Sequence, residues 1–140
     1  MVILPVDTGY TATAEERAAL DAWFAAYDDH CTACRIEEMA DMAVFPLNLV
    51  SDDSRGDGRS AQWERGQFVE TMRHVMGEGA SFASTRTPVF LSAAMAVVFT
   101  DCTATVDGEK QRMRYADVLI KKDGRWAFQT MIQGGWGDHL

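Results

Sequence analysis

The spacing of apolar residues changes once along this chain, near Ser81. Before it they recur at three- and four-residue intervals, and after it they alternate with polar residues. Leu20, Trp23, Phe24, Tyr27 and Cys31 fall at i, i+3, i+4, i+7 and i+11, which predicts one stripe of an amphipathic helix. Thr13-Ala14-Glu15-Glu16 in front of it is a capping-box pattern. Ile36, Met39, Ala40 and Ala43 repeat the spacing over a shorter second helix. Phe45 to Val50 reads as a strand, with Pro46 at a position where a strand start or edge tolerates it. SDDSRGDGRS, residues 51–60, reads as loop by composition. Phe68, Val69, Met72, Val75 and Met76 mark a third helix, stopped by Gly77 and Gly79.

The second half is a series of strands divided by Asp107-Gly108 and Asp123-Gly124. Both dipeptides fit two-residue type I′ hairpins. Such turns fix register, so Lys122 is expected opposite Arg125 and Val106 opposite Glu109. Counting on places Asp117 opposite Val98 on one side and Thr130 on the other. One face then carries Val98, Thr100, Cys102, Met113, Tyr115, Asp117, Leu119, Phe128, Thr130 and Ile132. The other carries Val97, Phe99, Ala116, Val118, Ile120 and Met131, with Asp101 opposite Arg114. A bulge would shift these sets by one residue. Helices first and strands after predict an α+β domain with the helices on one face of an antiparallel sheet. Three helices cover only one apolar face, so a homodimer packed through the sheet is expected on the other.

The 140 residues suit one domain, 1–140, with 1–12 as an N-terminal extension. A net charge of −8 offers no basic stripe to a nucleic acid or an anionic membrane, so neither is expected as a partner. The start, MVILPVDTGY, lacks the positive region of a signal peptide. The longest near-apolar run, AAMAVVF, is far too short to span a bilayer. Three cysteines, an odd number, do not form a disulfide framework, and a cytoplasmic location is the expectation.

The order of elements, with the helix ALDAWFAAYDD, the helix start WERGQFV at Trp63 and the closing run RYADVLIKKDGRWAF, resembles the nuclear transport factor 2-like superfamily. Within it the chain resembles the SnoaL-like and ketosteroid-isomerase-like branch, over roughly Ala14 to Gly135. The resemblance implies a cystatin-like cone: a curved, mixed, mainly antiparallel sheet packed on three N-terminal helices, with a pocket at the open end. It also implies chemistry without a cofactor or a metal. Members include isomerases, dehydratases, epoxide hydrolases and polyketide cyclases, and others that only bind ligands or dimerise, so fold does not choose among these.

Asp117 is the main candidate for chemistry, with Tyr115 beside it. A carboxylate among apolar side chains is desolvated, its pKa rises, and it serves as a general base or a protonated donor. The resemblance places it where ketosteroid isomerases hold an aspartate that donates to the oxyanion. The other reading is structural, with Asp117 bonded to Thr130, Tyr115 or a helix-end amide. No catalytic set of those relatives is complete. The strand VFPLNLV offers Asn48 where the isomerase has its base, Trp23 stands for a helix tyrosine, and Tyr115 occupies the place of an epoxide-hydrolase arginine.

Trp23, Tyr27, Met42, Asn48, Met113, Ile132 and Trp136 are the candidate ligand-binding residues, and plain core packing is the alternative for those in the helical stripe. HCTAC, residues 30–34, pairs Cys31 and Cys34 at C-x-x-C spacing. Cys31 continues the helical stripe. Thr32 reads as N-cap of the second helix, with Cys34 in its first turn. One such pair is short of a structural zinc site, so no metal is expected, although packing and redox readings both remain. Asp28, Asp29, Glu37 and Glu38 read as a solvated acidic patch. The function these features suggest is a small-molecule pocket for a hydrophobic compound. As an enzyme it would be a lyase or isomerase acting on a ring or polyketide-like substrate. A non-catalytic ligand-binding or homodimerisation module is the alternative.

Overall fold

The computed structural model describes residues 9–77 and 79–140, so most of the 1–12 extension, and the start expected to lack a signal, lie outside the described residues. The elements run α1 (Ala14–Thr32), α2 (Ile36–Ala40), β1 (Ala43–Asp52), β2 (Gly58–Trp63), α3 (Arg65–Val75), β3 (Ser81–Ser92), β4 (Met95–Val106), β5 (Glu109–Lys122) and β6 (Arg125–Ile132), then a short 3-10 turn, Gly137–His139.

The capping box forms as expected. Glu16 N donates to Thr13 Oγ1 at 3.1 Å, and Thr13 N donates to Glu16 Oε1 at 2.9 Å. Leu20 and Phe24 bury the middle of α1. The helix continues through Thr32, and the turn that follows holds Cys34 at φ 53. Thr32 is therefore not the cap of α2, which starts after Arg35, and Cys34 lies outside its first turn. A second correction concerns Ala43, expected to end the second helix. It begins β1 instead, because α2 is a single turn closed at Asp41. The 51–60 segment is likewise loop only in part, since Gly58–Ser60 already pair with Val50–Asp52.

One six-stranded open sheet holds the fold, in the order β2-β1-β6-β5-β4-β3. The β1–β6 pair is parallel and all others are antiparallel. Both Asp-Gly hairpins form, with Asp107 and Asp123 at φ 52 and the following glycines at φ 80 and 76, as type I′ turns require. The β4–β5 register is the one counted from the turn, Val98 facing Asp117 and Asp101 facing Arg114.

The β5–β6 register departs from the count. Leu119 pairs with Phe128, but Val118 pairs with Thr130, so Gln129 is an extra residue in β6. Asp117 consequently faces Met131 rather than Thr130, and Met131 moves to the helix-covered face while Thr130 and Ile132 leave it. That inner face carries Ala96, Val98, Thr100, Cys102 and Ala104 in strict alternation along β4, all buried. Leu20, Phe24, Met39, Leu47, Phe68, Val98, Leu119 and Phe128 form the core between it and the helices. Among the described residues, no helix is long and apolar enough to cross a membrane.

Candidate functional site

The strands β4 and β5 are longer than the helices that cover them, and the core fills only the half of the inner face around Ala96 and Leu119. Over the other half the sheet and the helices enclose an open cavity of about 410 Å³. Its walls come from the second half of α1, Met39 of α2, the end of α3, the first half of β3, the second half of β4, the middle of β5 and the end of β6. Asp117, Tyr115, Tyr27, Arg86, Met113 and Trp136 are among the lining residues.

Asp117 is 5% exposed and faces this space. No hydrogen bond reaches its carboxylate from the described residues, so the bonds that would make it a structural group are missing. Desolvation lifts its pKa from 3.8 to about 7, with the charge of Arg86 opposing the rise. Burial lifts Tyr115 to about 12, again partly opposed by Arg86. Burial also raises Tyr27 well above the usual phenol value. Both tyrosines are therefore neutral hydroxyl donors over the whole physiological range.

Arg86 is the residue that sequence reasoning missed. It sits on the inner face of β3 with its side chain 12% exposed. Its guanidinium donates twice to Asp28 of α1, Nη1 to Oδ2 at 2.6 Å and Nη2 to Oδ1 at 2.8 Å, and lies 4.3 Å from the centre of the Phe24 ring. For Arg86, burial works toward the neutral form, but the hydrogen bonds and charge of Asp28 outweigh it and hold the pKa above the usual value. Asp28 is thus no part of a free acidic patch. Glu37 is paired as well, with Arg65 at 3.0 Å and Arg73 at 3.3 Å. The available signal was a lone cation in a strand of alternating pattern. The turn before Met95 has no Asp-Gly dipeptide, however, and the β3–β4 register shifts between Phe90 and Ser92, so the face of Arg86 could not be counted.

Of the other candidates, Tyr27, Met113 and Trp136 line the cavity, and Ile132, more than a third exposed, contributes to its edge. Trp136 is held by its amide, which donates to Ser51 Oγ at 2.9 Å. Trp23 lies behind the wall, stacked on Tyr27 at 6.4 Å and packed on Phe128 at 4.8 Å. Met42 packs against the core and is not among the lining residues. Asn48 is placed away from the cavity. Leu47 and Leu49 on either side of it point into the core, so strand alternation turns Asn48 to the other face, where its amide donates to Thr130 Oγ1 at 3.3 Å.

The C-x-x-C pair splits. Cys31 lines the cavity with its thiol pushed up to about 11 by burial, and Cys34 stays in the turn. His30 accepts a hydrogen bond from Arg35 Nε at 2.9 Å. Among the described residues no three His, Cys, Asp or Glu side chains gather as a metal-binding group.

No protein-family model and no curated protein matches the sequence. Solved structures do match over nearly the whole chain. A putative calcium/calmodulin dependent protein kinase II association domain from Xanthomonas campestris is 21% identical, covers 96% of this chain and 97% of its own, and superposes with a TM-score of 0.64. A ketosteroid isomerase-like protein from Erwinia carotovora atroseptica is 20% identical, over 87% of this chain and 97% of its own, at a TM-score of 0.62. A putative scytalone dehydratase from Novosphingobium aromaticivorans is 18% identical, over 84% of this chain and 82% of its own, at 0.61. An NTF-2 like protein of unknown function from Shewanella oneidensis reaches 0.65 at 11% identity, over 85% of this chain and 98% of its own. With its three helices, its open mixed sheet and these matches, the chain has the α+β, cystatin-like fold of the nuclear transport factor 2-like superfamily.

Proposed function

We propose that this protein takes up a small, largely apolar ring or polyketide-like molecule in the cavity under α1 and moves a proton on it through Asp117, as a lyase or isomerase without a cofactor. One observation carries the reading. A buried carboxylate faces an open cavity and receives no hydrogen bond from the described residues. With a pKa of about 7 it is divided between acid and base near neutral pH, where a group taking and returning a proton works best. In an isomerisation, a C–H bond of the substrate breaks, Asp117 holds the proton, and the proton returns to a different carbon. In an elimination the electron pair of that bond forms the new double bond and expels a leaving group from the adjacent carbon. Tyr27 and Tyr115 supply neutral hydroxyl donors beside it. The cavity volume suits a compound of two or three fused rings. Ketosteroid isomerase-like and scytalone dehydratase-like proteins among the structural matches support this class of chemistry.

The test is deuterium incorporation from D2O into a panel of apolar ring compounds with acidic C–H bonds, followed by NMR. Wild type is expected to catalyse exchange into at least one, and Asp117→Asn to slow it by a factor of a hundred or more. Binding without exchange in either protein would favour the non-catalytic pocket instead.

The outer face of the sheet supports a homodimer. Val89, Val97 and Val118 line up across β3, β4 and β5, and the next row carries Phe99, 47% exposed. On one side of this patch Asp101 pairs with Arg114 at 2.7 Å, and Arg112 and Lys110 follow along the same face of β5, with Lys122 at its other end. An apolar patch of this kind is complementary to itself, which a two-fold interface requires. The three cysteines are free thiols, which suits the cytoplasm.

A further inference from the structure

Among the described residues two buried side-chain polar atoms have no hydrogen-bond partner, and both belong to one row of the inner face. They are Nε of Arg86 and Oγ1 of Thr100. Thr100 pairs with Arg86 on one side and with Tyr115 on the other, so the row Arg86, Thr100, Tyr115 crosses three strands, one inward position before Asp117. The remaining inner positions nearby are Ser84, Pro88, Val98, Cys102, Ala104 and Met113. A buried donor on a charged group that lacks an acceptor is costly, and folded proteins keep few of them. Arg86 cannot turn away to relieve this, because Asp28 grips both terminal nitrogens and Phe24 covers a face of the guanidinium.

The charges around Arg86 specify what the missing acceptor is. Asp28 already cancels the guanidinium charge, and Asp117 adds a negative charge whenever it ionises. The cavity is therefore neutral or negative, never positive, and it suits an uncharged oxygen better than a carboxylate. Resting on the reading of the cavity as a ligand site, we propose that Arg86, positioned by Asp28, anchors the carbonyl oxygen of an uncharged apolar molecule through its Nε–H. The Tyr115 hydroxyl stands on the same side, close enough to interact with the guanidinium but not in a hydrogen bond to its Nε–H. The carbonyl lies next to Asp117, and the anchor selects ketones, lactones and similar compounds over both hydrocarbons and carboxylates.

The test compares three probes of one shape, 2-acetylnaphthalene, 2-ethylnaphthalene and 2-naphthoate, on the full chain. Binding is read by tryptophan fluorescence at pH 8. Wild type is expected to bind the ketone roughly ten-fold or more tightly than the hydrocarbon, the usual worth of a hydrogen bond to a charged donor. The carboxylate should be the weakest of the three. Arg86→Met is expected to keep the affinity for the hydrocarbon and lose the preference for the ketone. Equal binding of ketone and hydrocarbon by wild type, or tighter binding of the carboxylate, overturns the anchor while leaving the pocket intact. Failure of all three to bind up to their solubility overturns both. Should Arg86→Met not fold, wild type alone decides through the 13C resonance of a labelled carbonyl. At or downfield of its position in water, the bound carbonyl accepts a strong hydrogen bond. Shifted upfield, toward its position in hydrocarbon, it lies in an apolar pocket and the proposal fails.

Discussion

Arg86 and Tyr115 lie two strands apart and share Thr100 as their cross-strand partner, so a cation and a phenol face the same cavity from opposite sides of β4. With Asp28 and Asp117 they form the charged and phenolic part of a lining built largely of methionine, cysteine, aliphatic and aromatic side chains. Its electrostatics follow from burial. Desolvation raises Asp117 and Tyr115 together, and one cation limits both.

The raised pKa of Asp117 gives stability a pH dependence of known sign. The folded carboxyl titrates at about 7 against 3.8 for an unperturbed one, so between these values the folded state binds more protons than the unfolded. Its contribution is fully present below about pH 4 and is lost as pH rises through about 7. The full span is on the order of 4 kcal/mol at about 1.4 kcal/mol per unit. Asp117→Asn should lack this slope and be more stable than wild type at pH 8, as measured by urea denaturation across the pH range. A wild type whose stability does not fall between pH 5 and 8 relative to the variant would refute the assignment.

Asp28→Asn should destabilise the fold by about 1–2 kcal/mol. Arg86 would lose the charge that compensates its burial, but Asp28 is itself nearly half exposed, so the loss stays below that of a fully buried pair. A double-mutant cycle with Arg86→Met reads the coupling directly, and a coupling near zero would show that the pair carries no energetic weight.

Phe99→Asp should leave the fold intact and give a monomer. Wild type at tens of micromolar is expected to sediment as a dimer. A monomeric wild type, or a variant that still dimerises, would mean that the outer face of β4 is not the interface.

The cysteines should react in order. Cys31 is held near 11 by burial and Cys102 is buried, whereas Cys34 sits in the turn after α1. Brief iodoacetamide treatment at pH 8 should alkylate Cys34 first, read by peptide mass mapping. Equal labelling of Cys31 would show that the end of α1 opens readily.

Local chemistry made much of the fold legible in the sequence. The capping box at Thr13, the stripe from Leu20 to Cys31 and the two Asp-Gly turns each act over a few residues. From the turns alone the pairing of Val98 with Asp117 follows, and with it the face of the central acid. What crosses the chain over long distances was settled only by tertiary structure. The extra residue at Gln129 exchanges Thr130 for Met131 beside Asp117, and the ladder between β1 and β6 shifts at the same place. Arg86 reaches the cavity through a hairpin whose register no turn dipeptide announces, and Asp28 meets it across 58 residues of chain. The cavity itself depends on how far three helices extend over long strands, a matter of volume and packing that no window of sequence contains.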